Sequence, residues 1–187
     1  RPYTSGQYAD LVRVVRDRVP DASIGADVMV GFPGETDSDF AETRQLIERS
    51  PLTYLHVFPY SSRPGTAAAD MSNLVPDHVA RFRGKALRQL IAQKNEAFRR
   101  SMIGRNLRVL VFEPGEALSD NFLRVTVPPG LSLNEWVDIR VVGLSQAGLE
   151  SVFRDRRLQP GKPVGKLRVG LEPVIRHANR RLLKPVV

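Results

Sequence analysis

The sequence contains no cysteine among its 187 residues. This absence excludes disulfide bonds, cysteine nucleophiles and cysteine-ligated iron–sulfur clusters from the chain. The sequence also lacks any apolar run of the roughly 18 to 20 residues that a membrane-spanning helix needs. Its first residues show no apolar region of the kind that secretory signals have. We therefore expect a globular protein located in the cytoplasm, without a membrane as partner.

Acidic residues are fewer than basic ones, which gives the chain a net charge of +8 at pH 7. A basic chain favours nucleic acid as a partner, because Lys and Arg that neutralise phosphates release counterions. The excess is uneven: residues 1–104 carry +2, residues 105–152 carry −2 and residues 153–187 carry +8. The last segment is predicted to be a basic extension of unknown fold. It is either a partly ordered tail or an added RNA-contacting extension.

Helical and strand patterns alternate through residues 1–104. The apolar periodicity, the capping signals and the loop residues predict five elements. They are a helix over 5–18, a strand over 23–30, a helix that begins at Thr36 or Asp37, a strand over 52–60 and a helix over 76–102. The first strand is apolar on both sides, which is typical of a parallel strand covered on both faces. The fold class predicted for this part is α/β.

The pattern changes at Arg105 to short segments with alternating polarity. These segments, 107–112, 122–127 and 136–142, are separated by Pro-Gly turns, and they predict a small all-β domain. The chain is therefore expected to have three parts, with bounds at 1–104, 105–152 and 153–187.

Two loops follow the two strands of the α/β part. In α/β sheets, ligands bind at the C-terminal ends of the strands. In the first loop, residues 31–36, the glycines allow a ligand to approach the backbone closely, and Glu35 or Thr36 can form hydrogen bonds at the helix entry. From physical chemistry alone, an ordinary connection between strand and helix explains this loop equally well.

The second strand and its loop carry a denser set of functional groups. The set comprises His56, Phe58, Tyr60, Ser61 and Arg63. Strand alternation places Tyr54, His56, Phe58 and Tyr60 on the same side. His56 alone is more often a core residue than a catalytic base. The set as a whole is better explained by a pocket.

Two stretches of the sequence resemble one protein family. Residues 26–36, ADVMVGFPGET, and residues 54–66, YLHVFPYSSRPGT, are similar to the radical S-adenosylmethionine (radical SAM) methylthiotransferases. The sequence HVFPYS, residues 56–61, resembles most the branch that acts on threonylcarbamoyladenosine next to the tRNA anticodon. The resemblance implies the C-terminal portion of a radical SAM (β/α) partial barrel, followed by a small all-β TRAM barrel of OB-like type.

The resemblance also implies a cofactor site that the two loops flank. The implied S-adenosylmethionine-binding residues are Gly31, Phe32, Pro33, Gly34, Glu35, Thr36, His56, Phe58, Tyr60, Ser61 and Arg63. In the family, two 4Fe-4S clusters carry the radical and sulfur chemistry, and their cysteine ligands lie in the preceding half of the protein. This chain has no such ligand. We therefore expect no catalytic residue and no activity in this chain alone, with the N-terminal half as a partner in cis or in trans.

Residues 105–152 resemble the TRAM domain, which binds tRNA in this family. The stretch SDNFLRV, residues 119–125, is its characteristic middle. Arginines pair with phosphates, and an exposed aromatic ring can stack on an unpaired base. The residues predicted to bind RNA are Arg105, Arg108, Asn121, Phe122 and Arg124. In the alternative, Phe122 is a core residue and the arginines only solvate a surface.

The resemblance implies part of a tRNA-modifying transferase. The implied reaction adds a methylthio group to C2 of N6-threonylcarbamoyladenosine in tRNA. The alternative is a non-enzymatic RNA-binding module in which the α/β part is a scaffold. A cysteine-bearing N-terminal portion discriminates between the two, because only the enzyme would then cleave S-adenosylmethionine.

Overall fold

The computed structural model describes residues 3–146 and 148–153. The helices are α1 (Ser5–Arg18), α2 (Asp37–Arg49) and α3 (Asp77–Ser101), and a short 3₁₀ turn spans Ala67–Asp70. The strands are β1 (Gly25–Val30), β2 (Tyr54–Pro59), β3 (Asn106–Glu113), β4 (Glu116–Ser119), β5 (Arg124–Thr126), β6 (Trp136–Leu144) and β7 (Leu149–Phe153). The described chain is therefore mixed α/β, as predicted.

The strands β1 and β2 form a parallel two-stranded sheet, in which Gly25 lies opposite Tyr54 and Val30 lies opposite Pro59. One face of this sheet is covered by the helices, which contribute Val12, Ile47 and Leu87 to a shared core. The opposite face is exposed in the described structure. The prediction that β1 is covered on both faces is therefore wrong here, because the helices pack against one side only.

The strands β3 to β7 form a closed barrel in the order β3-β4-β5-β7-β6. Neighbouring strands are antiparallel except β5 and β7, which are parallel. Inward-facing residues alternate with outward-facing ones, as they must in a small barrel, and Val109, Val111, Ile139 and Val141 are fully buried. Met102, which follows α3 directly, is also buried in this core.

The small barrel confirms the predicted β segments near 107–112, 122–127 and 136–142. The sequence did not predict β4 or β7, which are short. The basic extension lies outside the described residues from Arg154 onward. None of the helices within the described ranges is long and apolar enough to cross a membrane.

Candidate functional site

The loop after β1 is held by its own backbone and by the segment before α3. The N–H of Glu35 donates to the carbonyl of Phe32 at 2.9 Å, and the N–H of Gly34 donates to the carbonyl of Asn73 at 2.8 Å. The N–H of Gly31 donates to Oε2 of Glu35 at 2.7 Å. The shape of the loop is therefore fixed by hydrogen bonds within the protein.

Gly31 occupies a position that no other residue fits easily. Its φ is 75°, in the left-handed region, and a Cβ added there would lie 2.6 Å from the Cβ of Ala80 on α3. The close approach of β1 to α3 thus depends on this glycine.

Arg83 of α3 binds two carboxylates of the same loop and of the start of α2. Its Nη1 donates to Oε2 of Glu35 at 2.7 Å, and its Nη2 donates to Oδ1 of Asp37 at 2.7 Å. The guanidinium also lies over the ring of Phe40, 5.4 Å from its centroid. Burial by itself lowers the pKa of Arg83, but the bonds to Asp37 and Glu35 outweigh burial and the pKa lies above its ordinary value. The Glu35 carboxylate is therefore already occupied by structural partners.

Thr36 caps α2. Its side-chain oxygen accepts from the N–H of Asp39 at 3.2 Å, and its hydroxyl and N–H both donate to Oδ2 of Asp39, at 2.7 and 2.8 Å. The hydrogen bond from the Thr36 hydroxyl lowers the pKa of Asp39 most, and the bond from the Thr36 N–H lowers it further. Thr36 and Glu35 thus shape the loop, and both were predicted as cofactor ligands.

The exposed face of the sheet carries a row of aromatic rings on β2. The rings of Tyr54 and His56 meet edge to face with centroids 5.7 Å apart, and those of His56 and Phe58 stack at 6.3 Å. All three side chains are exposed. The alternative that His56 is a core residue is therefore wrong, and the predicted common face is confirmed for these three residues.

Strand β1 contributes the other half of this face. The register places Asp27 beside His56 and Met29 beside Phe58, and Met29 is 52% exposed. Gly25 lies beneath Tyr54, since a Cβ added to it would fall 2.0 Å from the ring. The result is a flat aromatic and apolar surface with one carboxylate and one imidazole.

Tyr60 links the two loops at the end of the sheet. Its N–H donates to the carbonyl of Val30 at 2.8 Å, and its ring meets Phe32 edge to face at 5.5 Å. The Tyr60 hydroxyl is buried and has no hydrogen-bond partner among the described residues. A bound ligand could satisfy this group, because buried hydroxyls normally have a partner.

The loop after β2 extends into solvent. Ser61 and Arg63 are both exposed, and the carbonyl of Arg63 accepts a hydrogen bond from the Thr66 hydroxyl at 2.8 Å. Within the described ranges, no carboxylate pairs with the Arg63 guanidinium. The structure thus brings the predicted residues of both loops to one edge of the sheet.

A second candidate surface lies on the outside of the barrel. The guanidinium of Arg108 lies 5.1 Å from the centroid of the Trp136 ring, and that of Arg124 lies 5.7 Å from the centroid of Phe112. Trp136 is 48% exposed. We call Arg108, Phe112, Arg124 and Trp136 the barrel patch. Sequence reasoning missed Trp136, although a lone Trp at the outward-facing start of an alternating strand was a usable signal.

The remaining predicted RNA contacts divide into two groups. Phe122 is 77% exposed, so the alternative that it is a core residue is wrong. Arg105 instead forms an ion pair with Asp21, and Nδ2 of Asn121 donates to the backbone carbonyl of Asp21 at 2.7 Å. These two side chains thus contact the α/β part of the chain.

No protein-family model matches the chain. The threonylcarbamoyladenosine tRNA methylthiotransferase MtaB of Aquifex aeolicus is 37% identical over 125 residues, which are 67% of this chain and 30% of the relative. The tRNA-2-methylthio-N(6)-dimethylallyladenosine synthase of Thermobifida fusca is 42% identical over 124 residues, 66% of this chain and 25% of the relative. MtaB of Rickettsia prowazekii is 37% identical over 148 residues, 79% of this chain and 34% of the relative.

This chain is homologous to part of the tRNA methylthiotransferases. It spans about a quarter to a third of the length of these relatives. The family resemblance predicted from the two motifs is thereby confirmed.

The residues of this chain fit one of the two cofactors that the resemblance implies and not the other. It has no cysteine, and no group of three His, Asp or Glu side chains in the described ranges could hold a metal ion. Its residues therefore do not fit a 4Fe-4S cluster. The exposed rings of His56 and Phe58 and the unpartnered Tyr60 hydroxyl do fit one wall of a site for a ligand that has an aromatic base and polar groups.

Proposed function

We propose that this chain is the part of a tRNA methylthiotransferase that forms one wall of the S-adenosylmethionine site and carries an RNA-binding barrel. The observation that carries the proposal is the aromatic face of β1 and β2, which lies beside two glycine-containing loops in a homologue of these enzymes. In the proposed domain division, residues 1–104 belong to a radical SAM partial barrel, residues 105–152 form a TRAM domain and residues 153–187 are a basic extension.

The proposed reaction adds a methylthio group to C2 of N6-threonylcarbamoyladenosine in tRNA. When bound, S-adenosylmethionine and the two 4Fe-4S clusters supply the radical and sulfur chemistry. The cluster ligands must come from another segment or chain, because this chain has no cysteine. The chain alone is accordingly proposed to be inactive.

The chain's own residues have binding and orienting roles in this proposal. Phe58 and His56 offer ring faces on which a nucleobase can stack. Tyr60 offers its buried hydroxyl. Glu35 and Thr36 hold the first loop in shape and so fix the segment from Gly31 to Gly34 at the end of β1. Ser61 and Arg63 stand at the open end, where a charged group of a ligand or of tRNA can reach them.

The barrel patch supports the proposed contact with tRNA. Arginine side chains that lie over aromatic rings combine a positive charge for phosphates with a flat surface for bases. The patch lies in a segment whose net charge is −2, so RNA affinity there depends on these local groups. The relatives include enzymes named for threonylcarbamoyladenosine and enzymes named for dimethylallyladenosine. The sequence HVFPYS, residues 56–61, favours threonylcarbamoyladenosine as the substrate.

A chimeric enzyme tests the proposal. The segment of the Aquifex aeolicus relative that corresponds to this chain would be replaced by it. We expect the chimera to restore 2-methylthio nucleosides in the tRNA of cells that lack their own enzyme, measured by mass spectrometry. A second chimera, built in the same way on the Thermobifida fusca relative, shows whether the choice of nucleoside follows this segment or the rest of the enzyme.

Two aromatic substitutions give the matched comparison. Phe58→Ala removes a ring from the proposed site, whereas Phe82→Ala removes a ring that is 70% exposed on α3. We expect the first to abolish modification and the second to leave it intact. A chimera that folds and binds tRNA but forms no methylthio nucleoside would favour the alternative, an RNA-binding module with an α/β scaffold, which the absence of cysteine also favours.

A further inference from the structure

The turn between β4 and β5 contains an aromatic residue, Phe122, whose backbone conformation is unfavourable. Phe122 has a φ of 63°, a left-handed conformation that is rare for bulky residues. Its ring is also 77% exposed, so the residue gains little from burial. Other contacts must therefore hold this turn in place.

Ser119 and Asn121 supply the contacts within the turn. The N–H of Phe122 donates to the carbonyl of Ser119 at 2.9 Å, and the N–H of Leu123 donates to the Ser119 hydroxyl oxygen at 2.9 Å. That hydroxyl lies 2.5 Å from Oδ1 of Asn121. Leu123 is buried, so the turn is fixed to the barrel on one side.

Asn121 also fixes the turn to the segment between α1 and β1. Its Nδ2 donates to the backbone carbonyl of Asp21 at 2.7 Å. That segment is itself held, because Arg16 donates to the carbonyls of Pro20 and Pro51 at 2.6 and 3.1 Å. The Asp21 carboxylate pairs separately with Arg105.

We infer that Asn121 is a positioning residue, which uses the backbone carbonyl of Asp21 to hold the Phe122 ring outside the barrel for stacking on an unpaired RNA base. This inference rests on the proposed function for its ligand. Asn121 was predicted from the sequence to contact RNA directly, but its amide group is occupied inside the protein. Its effect on RNA would therefore act through the neighbouring ring.

Hydrogen exchange tests the positioning role without RNA. In Asn121→Ala we expect the amides of Phe122 and Leu123 to exchange at least about tenfold faster, while Val109 and Ile139 in the barrel core keep their protection. Asn121→Asp should behave similarly, because it keeps the shape but loses the donor. Asn106→Ala, a matched deletion at an exposed position of β3, should leave the turn unchanged. Unchanged exchange of Leu123 in Asn121→Ala would overturn the inference.

A double-mutant cycle tests the link to RNA with the full chain and a tRNA anticodon stem-loop. We expect Asn121→Ala and Phe122→Ala each to weaken binding by about tenfold, as for loss of a base–aromatic stack. The double variant should bind no more weakly than Phe122→Ala, because Asn121 acts through the ring.

Two outcomes of this cycle contradict different statements. An Asn121→Ala effect of the same size with and without the Phe122 ring would overturn the positioning role. Absence of tRNA binding by the wild-type chain would overturn the proposed RNA contact and the RNA part of this inference, while the exchange measurement still decides whether Asn121 holds the turn.

Discussion

Nη1 of Arg83 lies 2.7 Å from Oε2 of Glu35, and only 5% and 12% of the two side chains are exposed. The same carboxylate oxygen accepts the N–H of Gly31. Helix α3 therefore holds the backbone of the loop that follows β1 through this carboxylate. A preformed loop of this kind loses less entropy when a ligand binds.

Loss of Arg83 should destabilise the protein strongly. Arg83→Met leaves the Glu35 carboxylate buried with the Gly31 N–H as its remaining partner, and we expect the free energy of unfolding to fall by about 3 kcal/mol. Urea denaturation followed by circular dichroism measures this change. Arg81→Met, at an exposed position of the same helix, should cost under about 0.5 kcal/mol. Equal effects of the two substitutions would contradict a structural role for the pair.

Gly31 and Gly65 form a matched pair of glycines with left-handed backbones. Their φ values are 75° and 78°, but a Cβ at Gly31 would collide with Ala80, whereas a Cβ at Gly65 would meet no atom within 4 Å. We expect Gly65→Ala to cost about 1 kcal/mol from backbone strain alone. Gly31→Ala should cost about 1 to 3 kcal/mol more, because it also overpacks the contact with α3. Similar costs in denaturation experiments would show that the contact with Ala80 yields easily.

The sequence predicted the elements whose signals are local. Thr4 and Gln7 form the expected capping box, and α1 spans Ser5–Arg18, as its periodicity predicted. Thr36 caps α2 in the same way. Strand alternation placed His56 and Phe58 on one face, because the period of two is a local property of the chain.

Partners that lie far apart in the sequence could not be predicted in this way. Arg83 and Glu35 are 48 residues apart, and Asn121 is 100 residues from Asp21. No spacing rule connects such residues, so Asn121 was predicted to face RNA and Arg83 was not singled out. The strand β4 was missed for a different reason, since four residues are too few to show alternation clearly.

The capping box of α2 should make stability depend on pH. The bonds from Thr36 lower the pKa of Asp39 below its ordinary value of 3.8. A carboxyl whose pKa is lower in the folded state stabilises the protein above its unfolded pKa, and this stabilisation is lost as the pH falls through the folded pKa. Thr36→Val should therefore destabilise the protein at neutral pH, and this destabilisation should shrink below about pH 4. Denaturation at pH 7 and pH 2.5 checks this, and a cost that does not change with pH would contradict it.

The barrel patch predicts a specific signal when tRNA binds. Trp136 is the single tryptophan of the chain, and the Arg108 guanidinium lies over its exposed ring. A base that stacks on this patch should quench the fluorescence of Trp136. Titration of the chain with a tRNA anticodon stem-loop measures the quenching, and binding without any change in fluorescence would place the contact elsewhere.

A salt series then separates the patch from the basic extension. Each arginine that neutralises a phosphate of single-stranded RNA adds about 0.7 to the slope of log affinity against log salt. We therefore expect Arg108→Ala to reduce the slope by about this amount. Arg124→Ala should reduce it by less, because the Arg124 guanidinium already pairs with Glu116 at 3.3 Å. Arg44→Ala, at an exposed position of α2, should leave the slope unchanged. Truncation after Val152 removes the segment that carries the +8 charge. A slope that falls only on truncation would move the phosphate contacts from the barrel to that segment, because the patch would then contribute no counterion release.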